Sequence, residues 1–285
     1  MVRPNAKGIR MRLLFSASVT ALMLASAAPA LAQDTDPPSA ITVSGSVGGV
    51  SDYRFRGVSQ SDEEIAVQGG LTVTHESGVY VGTWGSNLAG WGTFGGANLE
   101  LDLIAGFKTE IGGGGTLDVG VTWYMYPGGA DDSDFLEPYA KLGGTIGPLG
   151  LTAGVAYAPK QQALGNYSAT PFSRGQKEDN LYLWGDALAG IPGTPATLKA
   201  HIGYSEGNPG LGPNGTSVAP TGKYWDWMLG ADFAVYKGLT LGVSYIDTDI
   251  GKNEAAYLQP GFSKGNDGSG QIADATIVAS ITYAF

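Results

Sequence analysis

Residues 98–125 read NLELDLIAGFKTEIGGGGTLDVGVTWYM. Leu99, Leu101, Leu103, Ala105, Phe107 and Ile111 alternate with Asn98, Glu100, Asp102, Lys108 and Glu110. After four glycines, Leu117, Val119, Val121, Trp123 and Met125 alternate with Thr116, Asp118, Gly120, Thr122 and Tyr124. Alternation at period two puts successive side chains on opposite faces of an extended chain. The stretch therefore predicts two adjacent strands, each with one apolar and one polar face, joined by a tight glycine turn.

The pattern continues in both directions. Leu136, Ala140, Leu142 and Ile146 alternate with Glu137, Tyr139 and Lys141, and Leu198, Ala200, Ile202 and Tyr204 with Lys199 and His201. Trp225, Trp227, Leu229, Ala231, Phe233 and Val235 alternate with Tyr224, Asp226 and Asp232. Residues 79–84 and 181–188 carry bulky groups on both faces. Twelve strands are expected, at about 41–56, 64–74, 79–86, 97–111, 116–126, 135–146, 149–158, 180–188, 197–205, 223–235, 239–247 and 274–285. Between them, short connections such as GGGG (112–115) and GP (147–148) alternate with mostly longer ones. A bacterial transmembrane barrel has this parity, with short periplasmic turns and longer external loops, whereas a soluble sandwich has no reason for it. Backbone polar groups in hydrocarbon need partners, so such a sheet closes on itself. Tyr53, Trp123, Tyr157, Tyr204, Trp225, Tyr245 and Tyr283 suit interfacial girdles. Strand glycines such as Gly69, Gly70, Gly120 and Gly154 are expected to ease bending and open interior space.

The chain ends agree. Residues 1–32 have a basic head, an apolar middle and an Ala-Leu-Ala close, which is the form of a secretory signal peptide cleaved after Ala32. Residues 33–285 then form a single barrel domain. The leader holds four basic residues and no acid, so 12 Lys+Arg face 26 Asp+Glu in the remainder, a formal charge of −14. That excludes a basic footprint for nucleic acid. With no cysteine, the chain has neither disulfides nor thiolate ligands. The last residues, SITYAF, place Ile281, Tyr283 and Phe285 on one face, in the manner of the C-terminal signal read by the barrel-assembly machinery.

The candidate site is the polar face: Asp52, Arg54, Arg56, Glu100, Asp102, Asp118, Glu137, Lys141, Lys199, His201, Asp226 and Asp232. In a barrel these residues line a pore or fill it with ion pairs; interior charges of this kind tune selectivity. Within SDYRFRGVSQSD (residues 51–62), strand spacing turns Phe55 to the apolar face and both arginines to the wet one. Arg54 and Arg56 are expected to face Glu100 and Asp102 across the lumen. Only His75 and His201 are available as histidine bases, and no adjacent serine or paired acid singles out either. The acidic stretches GGADDSD (128–134) and DTD (247–249) read as solvated loops before they read as calcium sites. No metal site and no cofactor is expected.

GGVSDYRFRGVSQSDEEIAVQGGLTVTHESGVYVGTWGSNL (residues 48–88) closely resembles the N-terminal signature of the TorF family of Gram-negative porins. NLELDLIAGF, VTWYMYPG and SYIDTD resemble later family stretches, so the likeness covers essentially all of residues 33–285. Ile65 departs from it, standing where the family has proline. The resemblance implies an outer-membrane barrel and leaves its solute open. With the alternation and the loop parity, the expected fold is an all-β, up-and-down antiparallel barrel of twelve strands in the bacterial outer membrane, and no enzymatic activity is expected. The expected function is passive diffusion of small hydrophilic solutes or ions. A closed structural or receptor barrel acting through its external loops is the alternative, and a membrane-embedded hydrolase a remote one. The expected partners are outer-membrane lipid, the assembly machinery, the permeating solutes and a further copy of the chain.

Overall fold

The computed structural model describes residues 40–165, 175–209, 217–258, 261–268 and 270–285. The leader assigned to residues 1–32 lies outside them. Twelve strands close into an antiparallel barrel: β1 (Ile41–Val50), β4 (Ala66–His75), β5 (Val79–Asn87), β6 (Leu99–Gly112), β7 (Gly115–Met125), β8 (Phe135–Ile146), β9 (Leu149–Gln161), β10 (Glu178–Gly190), β11 (Ala196–Gly207), β12 (Lys223–Tyr236), β13 (Leu239–Thr248) and β14 (Thr276–Ala284). Each pairs with its sequence neighbour, and β14 returns to β1 with Ser46 opposite Ala284 and Val50 opposite Ser280. Backbone bonds in both directions between Gly45 and Phe285 finish the seam. Closure leaves no strand edge unpaired, the condition for a sheet in lipid.

The faces are inverted relative to a water-soluble protein. Leu229 is 63% exposed and Ile202 52%, while Glu100 and Glu137 are each 2% exposed. Most large apolar residues of the barrel strands point outward, and the charged residues of the strand middles point in. Trp123, Tyr157, Trp225, Tyr245 and Tyr283 are on the outer surface. One outer groove of about 610 Å³ crosses β8–β11, where Gly144, Ala153, Gly185, Ala187 and Ala200 replace larger residues.

The turns and loops alternate in length as expected. The difference lies in what the loops do. The first strand ends at Val50, six residues before its expected end, because the Ser51 hydroxyl takes over the ladder by accepting the Ala279 N–H. The chain then turns into the barrel mouth. There β2 (Arg54–Phe55) and β3 (Val58–Ser59) form a small hairpin, with Phe55 opposite Val58. Its two-residue turn is Arg56-Gly57, with φ of 50° and 80°. Positive φ at both central residues is the conformation that a tight hairpin requires. Phe55 consequently faces the interior, 8% exposed and edge-on to Tyr124, rather than joining the outer apolar face. Tyr53, expected at an interfacial girdle, is 2% exposed inside the mouth.

Other loops close over this hairpin. Phe94, Tyr126, Leu164 and Val218 pack with Tyr53, Phe55 and Tyr124 into one apolar cluster. Trp91, Phe262, Ile250, Ile272 and Val58 form a second, which includes Ala255 of the short helix α1 (Lys252–Leu258). The apolar cores of this barrel thus sit largely in its mouth. Asp134 accepts the Tyr126 N–H and Asp249 the Trp225 N–H, so each acidic stretch has at least one carboxylate tying down its own loop.

Several strand glycines make room for aromatic rings instead of leaving open interior space. At Gly154 an added Cβ would lie 2.2 Å from the Trp184 ring, and at Gly203 2.2 Å from the Tyr182 hydroxyl. Gly106 and Gly120 are covered in the same way by Tyr80 and Tyr139. The space above these glycines is filled by aromatic rings from neighbouring strands rather than left open. That also explains the bulky residues on both faces of residues 79–84 and 181–188: Tyr80, Trp84, Tyr182 and Trp184 are on the inner face.

Candidate functional site: the barrel lumen and its inward hairpin

All twelve residues of the expected polar face are buried, between 2% and 9% exposed. Nine of them are on barrel strands. Asp52, Arg54 and Arg56 are in the inward hairpin instead.

The hairpin is held by its own charges. Arg54 Nε donates to Asp52 Oδ2 at 2.5 Å, and Nη1 donates to the carbonyls of Gly57 and Ile272 at 3.0 and 2.7 Å. Asp52 Oδ1 accepts from Ser59 Oγ at 2.6 Å, and the Tyr53 N–H donates to Ser61 Oγ at 2.9 Å. Arg54 is therefore a staple between the hairpin and the segment preceding β14.

Arg56 reaches the far wall. Its Nη2 donates to both oxygens of Glu137 on β8, at 2.6 and 2.8 Å, and Nη1 donates to Asn180 Oδ1 on β10 at 2.7 Å. The guanidinium also lies 4.1 Å from the centre of the Tyr182 ring, and Tyr224 on β12 donates to the Arg56 carbonyl. Burial acts to lower the Arg56 pKa, but Glu137 beside it outweighs that and holds it above the ordinary arginine value. The group stays charged. β8 and β10 are each five strands from β1 around the ring, so the hairpin crosses the bore.

The expected facing of Arg54 and Arg56 with Glu100 and Asp102 does not occur. Arg54 pairs with Asp52 and Glu63, and Arg56 with Glu137. Glu100 instead accepts from the Tyr53 hydroxyl at 3.1 and 3.2 Å. Burial drives the Tyr53 phenol well above its usual range, and the Glu100 and Asp102 charges add to this, so it remains a donor. Asp102 Oδ1 has no hydrogen-bond partner.

The other lumen charges pair across strands. Lys141 Nζ is 3.1 Å from Asp118 Oδ2, and Lys199 Nζ 2.7 Å from Asp232 Oδ1. His201 is held between two acids: Nδ1 is 2.6 Å from Asp186 Oδ1, while Nε2 is 3.2 Å from Asp226 Oδ1 and 2.8 Å from the Tyr182 hydroxyl. The paired acids that residue order did not reveal are thus present, but no serine hydrogen-bonds to this histidine among the described residues. Asp186, Asn180, Tyr182 and Tyr224 are the residues that sequence reasoning missed. Asp186 and Tyr182 fall in the segment whose alternation is blurred, and Asn180 at its edge.

A family model described as "Bacterial protein of unknown function (Gcw_chp)" matches residues 34–285. The chain belongs to this family. No curated protein matches it. Among solved structures it is similar to the KdgM porin in complex with disordered oligogalacturonate, at 8% identity, over 86% of this chain and 99% of that one, with a TM-score of 0.50. An outer-membrane channel from Pseudomonas putida F1 matches at 12% identity over 88% and 99% of the two chains, with a TM-score of 0.43. At such identities the likeness is one of fold.

Proposed function

We propose that this Gcw_chp protein is an outer-membrane channel for passive diffusion of small hydrophilic solutes or ions, narrowed at its mouth by the hairpin of residues 51–65. The carrying observation is the inverted face pattern: an apolar outer belt around an interior of cross-paired charges. An apolar belt of this extent is stable against lipid and not against water. The TorF resemblance of residues 48–88 supports the same reading. The structurally similar KdgM porin is described with an acidic sugar chain. Here acids outnumber basic residues in the lumen, which favours neutral or cationic solutes.

In this reading lipid covers the outer face, and Ile281, Tyr283 and Phe285 present the assembly signal; they are 50%, 47% and 64% exposed. The groove across β8–β11 is where a second barrel would pack most closely. A second functional reading, a closed barrel acting through its loops, is favoured by the filled mouth: the cavity lined by Phe55, Gln60, Glu100, Tyr126 and Tyr224 measures about 10 Å³. Single-channel recording of refolded residues 33–285 in planar bilayers separates the two. Discrete conductance steps are expected; a silent bilayer containing correctly folded barrels overturns the channel reading.

A further inference from the structure

Most aromatic rings that the barrel strands turn inward are buried: Tyr80 and Tyr139 are 8% exposed, Tyr182 2% and Tyr124 1%. Trp84 on β5 and Trp184 on β10 are only half-buried. Both are on the inner face, so the exposed part of each ring looks onto the bore.

The two are built alike. Trp84 is opposite Gly70 on β4, where an added Cβ would lie 3.1 Å from Trp84 Cδ1. Trp184 is opposite Gly154 on β9, where an added Cβ would lie 2.2 Å from Trp184 Cζ2. Each indole thus leans over a glycine of the preceding strand and lies along the wall. The next inner residue of that strand, towards the short turn, is a half-buried threonine in both cases, Thr72 and Thr152. Ser46 stands opposite Gly70 on β1, and Asp186 opposite Thr152 on β10; both are half-buried.

The two platforms also share a height. Trp84 is five residues from Val79 and Trp184 six from Gly190, the short-turn ends of their strands. Both sit directly beneath the crossing hairpin: Tyr53 packs edge-on against Trp84, and Arg56 lies on Tyr182, the ring stacked on Trp184. β5 and β10 are five strands apart in a ring of twelve, so the indoles stand on opposing walls.

We propose that Trp84 and Trp184 form a two-sided stacking site for the sugar rings of neutral saccharides, with Thr72, Ser46, Thr152 and Asp186 as hydrogen-bonding flanks. The inference deepens the channel reading by naming a solute class, and rests on that reading for its role in transport; binding itself does not require conduction. A pyranose has a C–H-rich face, which suits the negative face of an indole, and a rim of hydroxyls, which suits the threonines, the serine and the carboxylate. Nearby charges are already matched, Asp186 with His201 and Asp118 with Lys141, so the site offers no free cation to a carboxylated sugar among these groups.

The test is titration of refolded residues 33–285 in detergent, followed by calorimetry and tryptophan fluorescence. The neutral probes are maltotriose, cellotriose and xylotriose; the comparison probes are trigalacturonate and the open-chain polyol sorbitol. At least one neutral trisaccharide is expected to bind and to change the fluorescence. Trp84→Ala and Trp184→Ala should each weaken it about tenfold, whereas Trp225→Ala, on the outer face, should not. No binding by any neutral trisaccharide overturns the proposal, as does unchanged affinity in both inner variants. Equal binding of trigalacturonate overturns the neutral class, and equal binding of sorbitol overturns ring stacking. If the alanine variants do not refold, Thr72→Val/Thr152→Val keeps the side-chain shape and removes both hydroxyls; several-fold weaker binding is expected, and unchanged affinity overturns the site. A barrel that binds yet never conducts keeps the site and loses the channel. One that conducts and binds no neutral saccharide keeps the channel and loses the site.

Discussion

Arg56 and Glu137 are 81 residues apart in sequence and meet in two charge-assisted hydrogen bonds, at 2.6 and 2.8 Å, in the interior of the barrel. Their side chains are 1% and 3% exposed. Such a pair gains little over a well-packed apolar one, but losing one partner leaves an uncompensated buried charge. Arg56→Ala should therefore destabilise the barrel by about 3–5 kcal/mol, and Arg56→Met/Glu137→Met by much less than the sum of the two single changes. Urea titration of tryptophan fluorescence in refolded protein measures both. Equal costs for the double variant and the sum would show that the two groups do not interact.

Gly57 makes the turn that carries Arg56 across the bore. Its φ is 80°, and an added Cβ would lie 2.4 Å from Thr248 Cγ2. Gly57→Ala meets both the backbone penalty and the clash, about 1–3 kcal/mol for the strained conformation. The hairpin should be displaced from the far wall. In bilayers this is expected as larger and noisier conductance than wild type, with an unchanged far-ultraviolet spectrum, because no barrel strand depends on the turn. A variant with wild-type conductance would show that the hairpin does not set the bore.

The barrel was legible in the sequence because its strands obey one rule repeated twelve times. An apolar outer face and a charged inner one demand period two, and no tertiary accident alters that. The inward hairpin was illegible for the same reason. Alternation runs unbroken from Ile41 through Arg56, so nothing in it marks Val50 as the last ladder residue. The local signal was the pair Arg56-Gly57 between Phe55 and Val58, a two-residue turn with an uncommon first member. Arginine at positive φ is disfavoured on its own. It is tolerated here because Glu137, Asn180, Tyr182 and Tyr224 hold it, and those contacts come from three distant strands. Likewise, alternation named most of the inward acids, Asp186 excepted, but not which base each one meets. Which acid meets which base depends on register and on the hairpin, neither of which period two encodes.

Gly203 and Gly190 are strand glycines of opposite kinds. A Cβ at Gly203 would lie 2.2 Å from the Tyr182 hydroxyl and 2.6 Å from Asp226 Oδ2, whereas at Gly190 it would meet nothing within 4 Å. Gly203→Ala should push Tyr182 away from His201 and Asp226 and cost about 1–3 kcal/mol, as overpacking does. Gly190→Ala should stay within about 0.5 kcal/mol of wild type. Melting temperatures of the two variants check this directly. Equal melting would mean that the ring over Gly203 moves aside freely.

Phe285 closes the barrel in two separable ways. Its backbone N–H and carbonyl bond reciprocally to Gly45, each at 2.9 Å. Its ring lies over the same glycine, where an added Cβ would be 2.8 Å from Cζ. Deleting Phe285 removes both contacts at the seam between β1 and β14. Phe285→Ala removes only the ring, whereas Gly45→Ala displaces the ring and also crowds the Gly70 carbonyl oxygen, which would lie 2.9 Å from the added Cβ. Each backbone bond contributes about 0.5–1.5 kcal/mol net, and the ring adds apolar area on the outer face. The folded fraction after refolding, read from heat-modifiable gel mobility, should fall most for the deletion and less for Phe285→Ala, with Gly45→Ala also below wild type because its Cβ meets both the ring and the Gly70 carbonyl. If Phe285→Ala refolds as well as wild type in vitro but fails to reach the membrane in cells, the ring acts as a recognition signal for assembly. If it fails equally in both settings, its role is the packing at the seam.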